Sequence, residues 1–246
     1  DIDEGFLLLE DLGATGYMDR LDSPEAEPLM RAAIDALVQM QARTRVAGLP
    51  RYDAALLGRE LDLFPQWYVR QHLAIEPDAG WWRDWSDART RLIERALAQP
   101  RVFVHRDYMP RNLMVSDPAP GILDFQDAVE GPITYDLASL LRDAFVSWPA
   151  EHERVWIERY AERAAAAGLS LPDDAPELWT DLDLMAAQRH LKVLGIFARL
   201  KHRDGKDRYV ADAPRFLSYL ERETAPYPEL ASLRALLAAL PREATA

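Results

Sequence analysis

Apolar positions along this chain fall into two textures. Over most of its length they recur at three- and four-residue spacing, the pattern of helices with one buried face. From Ser23 and Pro24 onward, Leu29, Ile34, Leu37, Val38 and Met40 make such a face. Pro24 suits a first helical turn, and Glu25 and Glu27 suit the positive end of the helix. Helical spacing returns over about 52–73, where Pro65 either starts a new segment or kinks the old one. It returns again over about 79–99. Beyond Pro132 it covers about 135–147, 151–167, 177–202, 210–224 and 228–240, with Gly168 and the Asp204–Gly205 pair as plausible stops. Trp81, Trp82 and Trp85 cannot all share one stripe, so one of them is expected at the surface or in a cleft. Trp156 and Trp179 are expected to pack in the core.

Two stretches break this rhythm. Residues 5–9 form a short apolar run closed by Glu10, Asp11, Leu12 and Gly13, which predicts a buried strand entering a turn. In mid-chain, residues 101–105, 112–115 and 121–125 are short β-prone segments separated by turns that contain Pro and Asp. The expected architecture is α+β: a mostly helical body with a small β-insert at 101–127. No internal repeat or low-complexity tract is visible.

Composition narrows the chemistry. With 246 residues, 49% of them hydrophobic, the chain can bury a sizeable core. Absence of cysteine excludes disulfides, thiolate metal sites and cysteine nucleophiles. A net charge of −12 argues against binding nucleic acid or anionic lipid. No apolar run approaches the ~18 residues of a membrane span. The acidic first residues resemble no secretion signal, so a soluble, cytoplasmic protein is expected. A start at Asp1 suggests that further residues precede it.

The β-insert carries the candidate chemistry. It contains His105, Arg106, Asp107 and, five residues after that aspartate, Asn112; a β-prone segment then leads into Asp124 and Phe125. Phosphoryl transfer asks for a carboxylate that orients and deprotonates the attacking hydroxyl, and for oxygen ligands that hold Mg²⁺ against nucleotide phosphates. The spacing H-R-D-x-x-x-x-N followed by Asp-Phe supplies these groups. Asp107 is the candidate base, and Asn112 and Asp124 are the candidate metal ligands. Hard oxygen donors suit Mg²⁺, which keeps several waters. Arg106 has no charge partner evident in the sequence.

These residues, with Gly131 to Ala138 after them, resemble the aminoglycoside phosphotransferase and choline kinase branch of the protein-kinase-like superfamily. Gln126 stands where protein kinases carry the glycine of D-F-G, and no activation segment follows, which favours the small-molecule branch. The resemblance implies an ATP- and Mg²⁺-dependent phosphotransferase. It also implies loop-supporting roles for His105 and Asp136, the latter opening a helix and bracing the catalytic loop. Residues 1–13 would be the hinge and a remnant of an N-terminal lobe, with the Glu10 carbonyl and Leu12 N–H meeting the adenine edge. Residues 14–246 would be the helical C-terminal lobe. The N-terminal β lobe itself is expected to be largely absent, because the lysines are Lys192, Lys201 and Lys206 and none can serve as its phosphate-binding lysine.

Within the branch, residues 5–13, 60–68, 105–114 and 124–148 are most similar to bacterial kinases that phosphorylate the anomeric hydroxyl of N-acetyl amino sugars in cell-wall recycling. A sugar acceptor could use Trp67, Tyr68, Trp148, Gln126 and Asp127; the last two are the candidate acceptor-binding residues. Choline, ethanolamine or an aminoglycoside remains an alternative acceptor. A catalytically silent pseudokinase that acts as a binding module is an alternative of another class. The partners expected are a small-molecule sugar and a nucleotide, with no nucleic acid and no membrane; the sequence leaves oligomeric state open.

Overall fold

In the computed structural model, residues 4–5, 10–118, 120–172 and 174–241 are described. Most of the expected strand at 5–9 lies outside them. Helix α1 (Ala26–Arg43) buries Ile34, Leu37 and Val38 of the expected stripe, with Met30 beside them, while Leu29 and Met40 pack partly buried against the core. Helices α2 (Ala54–Leu61) and α3 (Ala79–Ala98) open on Asp53 and Asp78, whose carboxylates accept from Leu56 N and Trp81 N, both at 2.8 Å. Between them Pro65 begins a new segment. Residues Phe64–His72 wind as a wider π-helix, and the Leu73 N–H reaches back five residues to the Tyr68 carbonyl at 3.0 Å. Of the three clustered tryptophans, Trp85 is buried and Trp82 is exposed. Trp156 is a core residue and Trp179 packs partly buried against the core.

Four short strands follow where three β-prone segments are predicted. β1 (Arg101–Val104) pairs antiparallel with β4 (Val129–Pro132), and β2 (Leu113–Met114) pairs antiparallel with β3 (Gly121–Ile122). β3 stops before Asp124, which takes a left-handed φ of 63° and so turns the chain out of the sheet. β4 escapes a pattern search because Glu130, Gly131 and Pro132 give it no alternation. Gly131 is needed there, since a Cβ would lie 3.0 Å from the Tyr52 Cβ.

Helix α4 (Tyr135–Leu141) is shorter than its apolar run suggests. After Arg142 the Asp143 carboxylate takes the Phe145 N–H at 3.2 Å, a local turn that competes with the helix. α5 (Ala150–Ala166) is followed by Gly168 at a φ of 77°, and α6 (Ala175–Asp204) ends on left-handed Gly205. The expected helix at 210–224 is a 3₁₀ turn, Asp207–Asp212, and then α7 (Ala213–Thr224), with Pro214 in its first turn. The last expected helix divides the same way, with the 3₁₀ turn Pro228–Leu230 leading into α8 (Ala231–Ala238). No helix among the described residues is long and apolar enough to cross a membrane.

The thirty-residue α6 runs through the middle of the body, touching the π-helix, α3, α4 and α7. A buried polar network locks its flank. Arg142 meets Glu153 at 3.2 Å, Asp183 at 2.8 Å and Glu223 at 3.3 Å, while His190 bonds Glu223 at 2.9 Å and the Arg142 carbonyl at 3.1 Å. On another flank Gly195 admits the backbone of Leu63, which a Cβ would meet at 2.4 Å. Backbone cannot swing aside as a side chain can. Gly195→Ala is therefore expected to cost about 3 kcal/mol by overpacking, read as a lower urea midpoint with an unchanged slope.

Candidate active site

The loop after β1 is held by one buried carboxylate. Asp136, in the first turn of α4, accepts the His105 N–H at 2.6 Å and the Arg106 N–H at 2.9 Å. Arg106 sits at a φ of 75°, so the loop leaves the strand through a left-handed residue that Asp136 pins. Burial pushes the Asp136 carboxyl up to about 7, against the pull of those two N–H groups and of Arg189. The His105 ring is fully buried, and neither of its nitrogens completes a hydrogen bond among the described residues. Burial lowers its pKa although Asp107, the Leu123 backbone and Asp124 favour its charged form. Tyr108 anchors the next stretch, its hydroxyl donating to the Ala33 carbonyl at 2.8 Å.

Asp107, Asn112 and Asp124 are brought close by backbone links. Asn112 Nδ2 donates to the Asp107 carbonyl at 2.9 Å, and the Leu123 N–H donates to the Asn112 carbonyl at 3.0 Å. With its amide nitrogen so engaged, the Asn112 Oδ1 remains an open acceptor. Asp107 is half-buried and Asp124 exposed, and neither carboxylate has an ion pair or hydrogen bond among the described residues. No group of three His, Cys, Asp or Glu side chains among the described residues could hold a metal. The Asp124 carboxylate and the Asn112 amide oxygen are nevertheless the hard donors that suit Mg²⁺, which is bound by few protein ligands and completed by phosphate oxygens and water.

Asp107 lines a cavity of about 290 Å³ whose other walls include Arg111, Asp127, Tyr135, Phe145 and Arg189. Glu60 ties together two of its lining residues, Arg106 and Lys192. Its carboxylate pairs with Arg106 and with Lys192 at 3.1 Å, and accepts from the Tyr52 hydroxyl and from Gln188 Nε2 at 3.4 Å. Burial opposes the charge on Glu60, but Lys192, the Tyr52 hydroxyl and Arg106 outweigh it and hold the carboxyl below its usual value. Lys192 also donates to the Tyr135 hydroxyl at 3.0 Å.

Asp127 is on the cavity wall, and its carbonyl accepts from Arg106 at 3.4 Å; Gln126 is exposed and is not among the residues that line the cavity. Glu10 is exposed. Leu12 packs against Gly121, where a Cβ would lie 2.9 Å from its Cδ1. The segment around them runs beside β2, through a Gly16–Met114 bridge and a Val115 N–H to Thr15 carbonyl bond of 2.9 Å. The expected aromatics are elsewhere: Trp67, Tyr68 and Trp148 do not line this cavity, and Tyr68 borders a separate groove beneath α7 and α8. Tyr135, Phe145 and Phe197 take their place. Spacing could not single them out, because each sits on a stripe that reads equally well as core. Glu60 and Lys192 escaped for another reason: the ion pairs of Glu60 reach 46 positions along the chain to Arg106 and farther still to Lys192.

A model of the phosphotransferase enzyme family matches residues 1–171. An N-acetylmuramate/N-acetylglucosamine kinase of Pseudomonas aeruginosa is 53% identical over the whole of this chain, which spans 73% of that relative. One of Pseudomonas putida is 50% identical over 98% of the chain and 71% of the relative. Among solved structures, a choline/ethanolamine kinase family protein of Mesorhizobium loti superposes with a TM-score of 0.58 at 16% identity, covering 92% of this chain and 69% of that one. Its likeness concerns the fold alone, and the fold is kinase-like.

The brace has a pH signature. An unfolded Asp136 loses its proton near pH ~4, whereas the folded one keeps it to about 7, so the folded state binds the extra proton between these values. Stability therefore falls as pH rises through that window, by at most ~1.4 kcal/mol per unit. Asp136→Asn is expected to remove this component and to cost about 1–3 kcal/mol, because one amide oxygen replaces two acceptors. Denaturant titrations at several pH values read both effects.

Proposed function

This chain belongs to the phosphotransferase enzyme family, and from that premise we propose that it transfers the γ-phosphoryl of ATP to the anomeric hydroxyl of an N-acetyl amino sugar, N-acetylmuramate or N-acetylglucosamine. The observation that carries this reading is an Asp107 carboxylate on the wall of a cavity of about 290 Å³, without ion pair or hydrogen bond among the described residues, with Asn112 tied to the Asp107 carbonyl. The names of relatives sharing about half of its residues supply the acceptor.

Asp107 orients the acceptor hydroxyl and takes its proton as the oxygen attacks the γ-phosphorus. The new O–P bond forms as the bond to the β-phosphate oxygen breaks, and nucleoside diphosphate leaves. Mg²⁺, held by Asn112 and Asp124, would offset the charge of the phosphate oxygens. His105 and Asp136 keep the loop in shape. The Glu10 carbonyl and Leu12 N–H, which make no hydrogen bond to another described residue, would meet the adenine edge. Residues 10–13 would form the hinge and the helical lobe would begin at residue 14. Asp127 is the better placed of the two candidate acceptor ligands, Gln126 standing outside the cavity wall. The site of action would be the cytoplasm, where ATP is supplied, and the phosphorylated sugar would feed cell-wall recycling.

Arg106, Arg111, Arg189 and Lys192 line the cavity beside Asp107 and Asp127, but Glu60 holds Arg106 and Lys192, and buried Asp136 and Asp143 act on Arg189, so no excess of positive charge is left to choose the acceptor.

Full-length protein with ATP and Mg²⁺ should phosphorylate N-acetylglucosamine and N-acetylmuramate in preference to choline and kanamycin. The product should lose its reducing end; phosphate on C6 would overturn the anomeric assignment. Asp107→Asn should lower kcat about 10²- to 10⁴-fold with little change in sugar KM, because the base acts in the transition state. Chelation of divalent metal should stop turnover. A pseudokinase would transfer to none of these acceptors.

A further inference from the structure

We propose that Arg189 anchors an acidic substituent of the acceptor, making this cavity selective for a carboxylate-bearing sugar over its neutral counterpart. The inference rests on the acceptor class argued above and adds the residue that reads the acid.

The four cations around the cavity are not equivalent. Arg106 and Lys192 are committed to Glu60, and Lys192 also to the Tyr135 hydroxyl. Arg111 is exposed and lies over the Phe145 ring, 5.0 Å from its centre, where water solvates it. Arg189 is only 4% exposed, lines the cavity, and has no ion pair or hydrogen bond among the described residues. Its Nη1 is buried without any partner.

An unpaired guanidinium in such a place is costly unless something offsets it. Two acids do so from a distance. Asp136 and Asp143 lie near enough for Arg189 to act on both carboxylates, yet neither is within 4 Å as a salt bridge. Asp136 spends both oxygens on backbone N–H groups; Asp143 Oδ2 holds the Phe145 N–H, while its Oδ1 is buried without a partner among the described residues. The charge is thus offset at a distance, and the guanidinium makes no hydrogen bond among the described residues. A planar fork of this kind matches a carboxylate with two parallel hydrogen bonds.

The wall chemistry agrees. Asp107 and Arg189 border the same 290 Å³ space, so an acceptor with its hydroxyl at one can carry its acid to the other. N-acetylmuramate differs from N-acetylglucosamine by a lactyl ether that ends in a carboxylate.

Initial rates with N-acetylmuramate, its methyl ester and N-acetylglucosamine test this directly. With wild-type full-length protein, the ester should show a KM about tenfold or more above that of the acid. In Arg189→Gln the preference for acid over ester should shrink to within about threefold, and Arg189→Lys should fall between, keeping the charge but not the fork. If Arg189→Gln does not fold, Arg189→Lys carries the test, and an undiminished acid preference in it overturns the proposal. Equal use of acid and ester by the wild type overturns it without any variant. So does a preference that survives in Arg189→Gln, or an equal loss on all three sugars with a lowered melting temperature, which marks a structural arginine. Absence of transfer to any sugar by the wild type would instead sink the acceptor assignment, and this inference with it.

Discussion

The site depends on one carboxylate that never reaches the cavity. Asp136 lies wholly buried at the start of α4 and gathers two consecutive N–H groups of the loop that bears Asp107. Without it, the left-handed turn at Arg106 has no support and two donors are left unsatisfied beneath the core. Everything presented to the cavity by residues 105–112 follows from that attachment. The cost is a buried charge, tempered by its donors and by Arg189 nearby.

Glu60 plays the corresponding part for the cations of the cavity wall. It joins α2, the loop and α6 through Arg106, Lys192 and Gln188. Buried ion pairs of this kind add little to stability on balance, because desolvation consumes most of the attraction. What they confer here is position: the cationic ends of Arg106 and Lys192 are held away from open water and from each other's alternatives.

Much of this was legible in the amino-acid sequence. Helix spacing located α1, α3, α5 and α6; the interval between Asp107, Asn112 and Asp124 raised the expectation of a shared site, and backbone links join Asp107 to Asn112 and Asn112 to Leu123. The shortfalls share a cause. β4, the early end of α4 and the 3₁₀ entries to α7 and α8 depend on side-chain-to-backbone bonds and tight packing that periodicity does not encode. Cavity aromatics were misplaced because a face pointing into a cleft and one pointing into the core obey the same spacing. Arg106 and Arg189 carried no local signal, since their meaning lies in what approaches them from distant segments.

Helix α6 is where these distant segments meet. Gln188 and Lys192 face Glu60; Arg189, Val193 and Ile196 face the cavity; Asp183 and His190 face the Arg142 network; Gly195 faces Leu63. Each residue along a helix turns it by about 100°, so these four duties are indexed by a single count. Exchanging one side chain on the cavity face leaves the other three faces in place, which makes specificity easy to revise by substitution. Adding or deleting a residue near its middle scrambles all four together, so length rather than composition is the inflexible property of this helix.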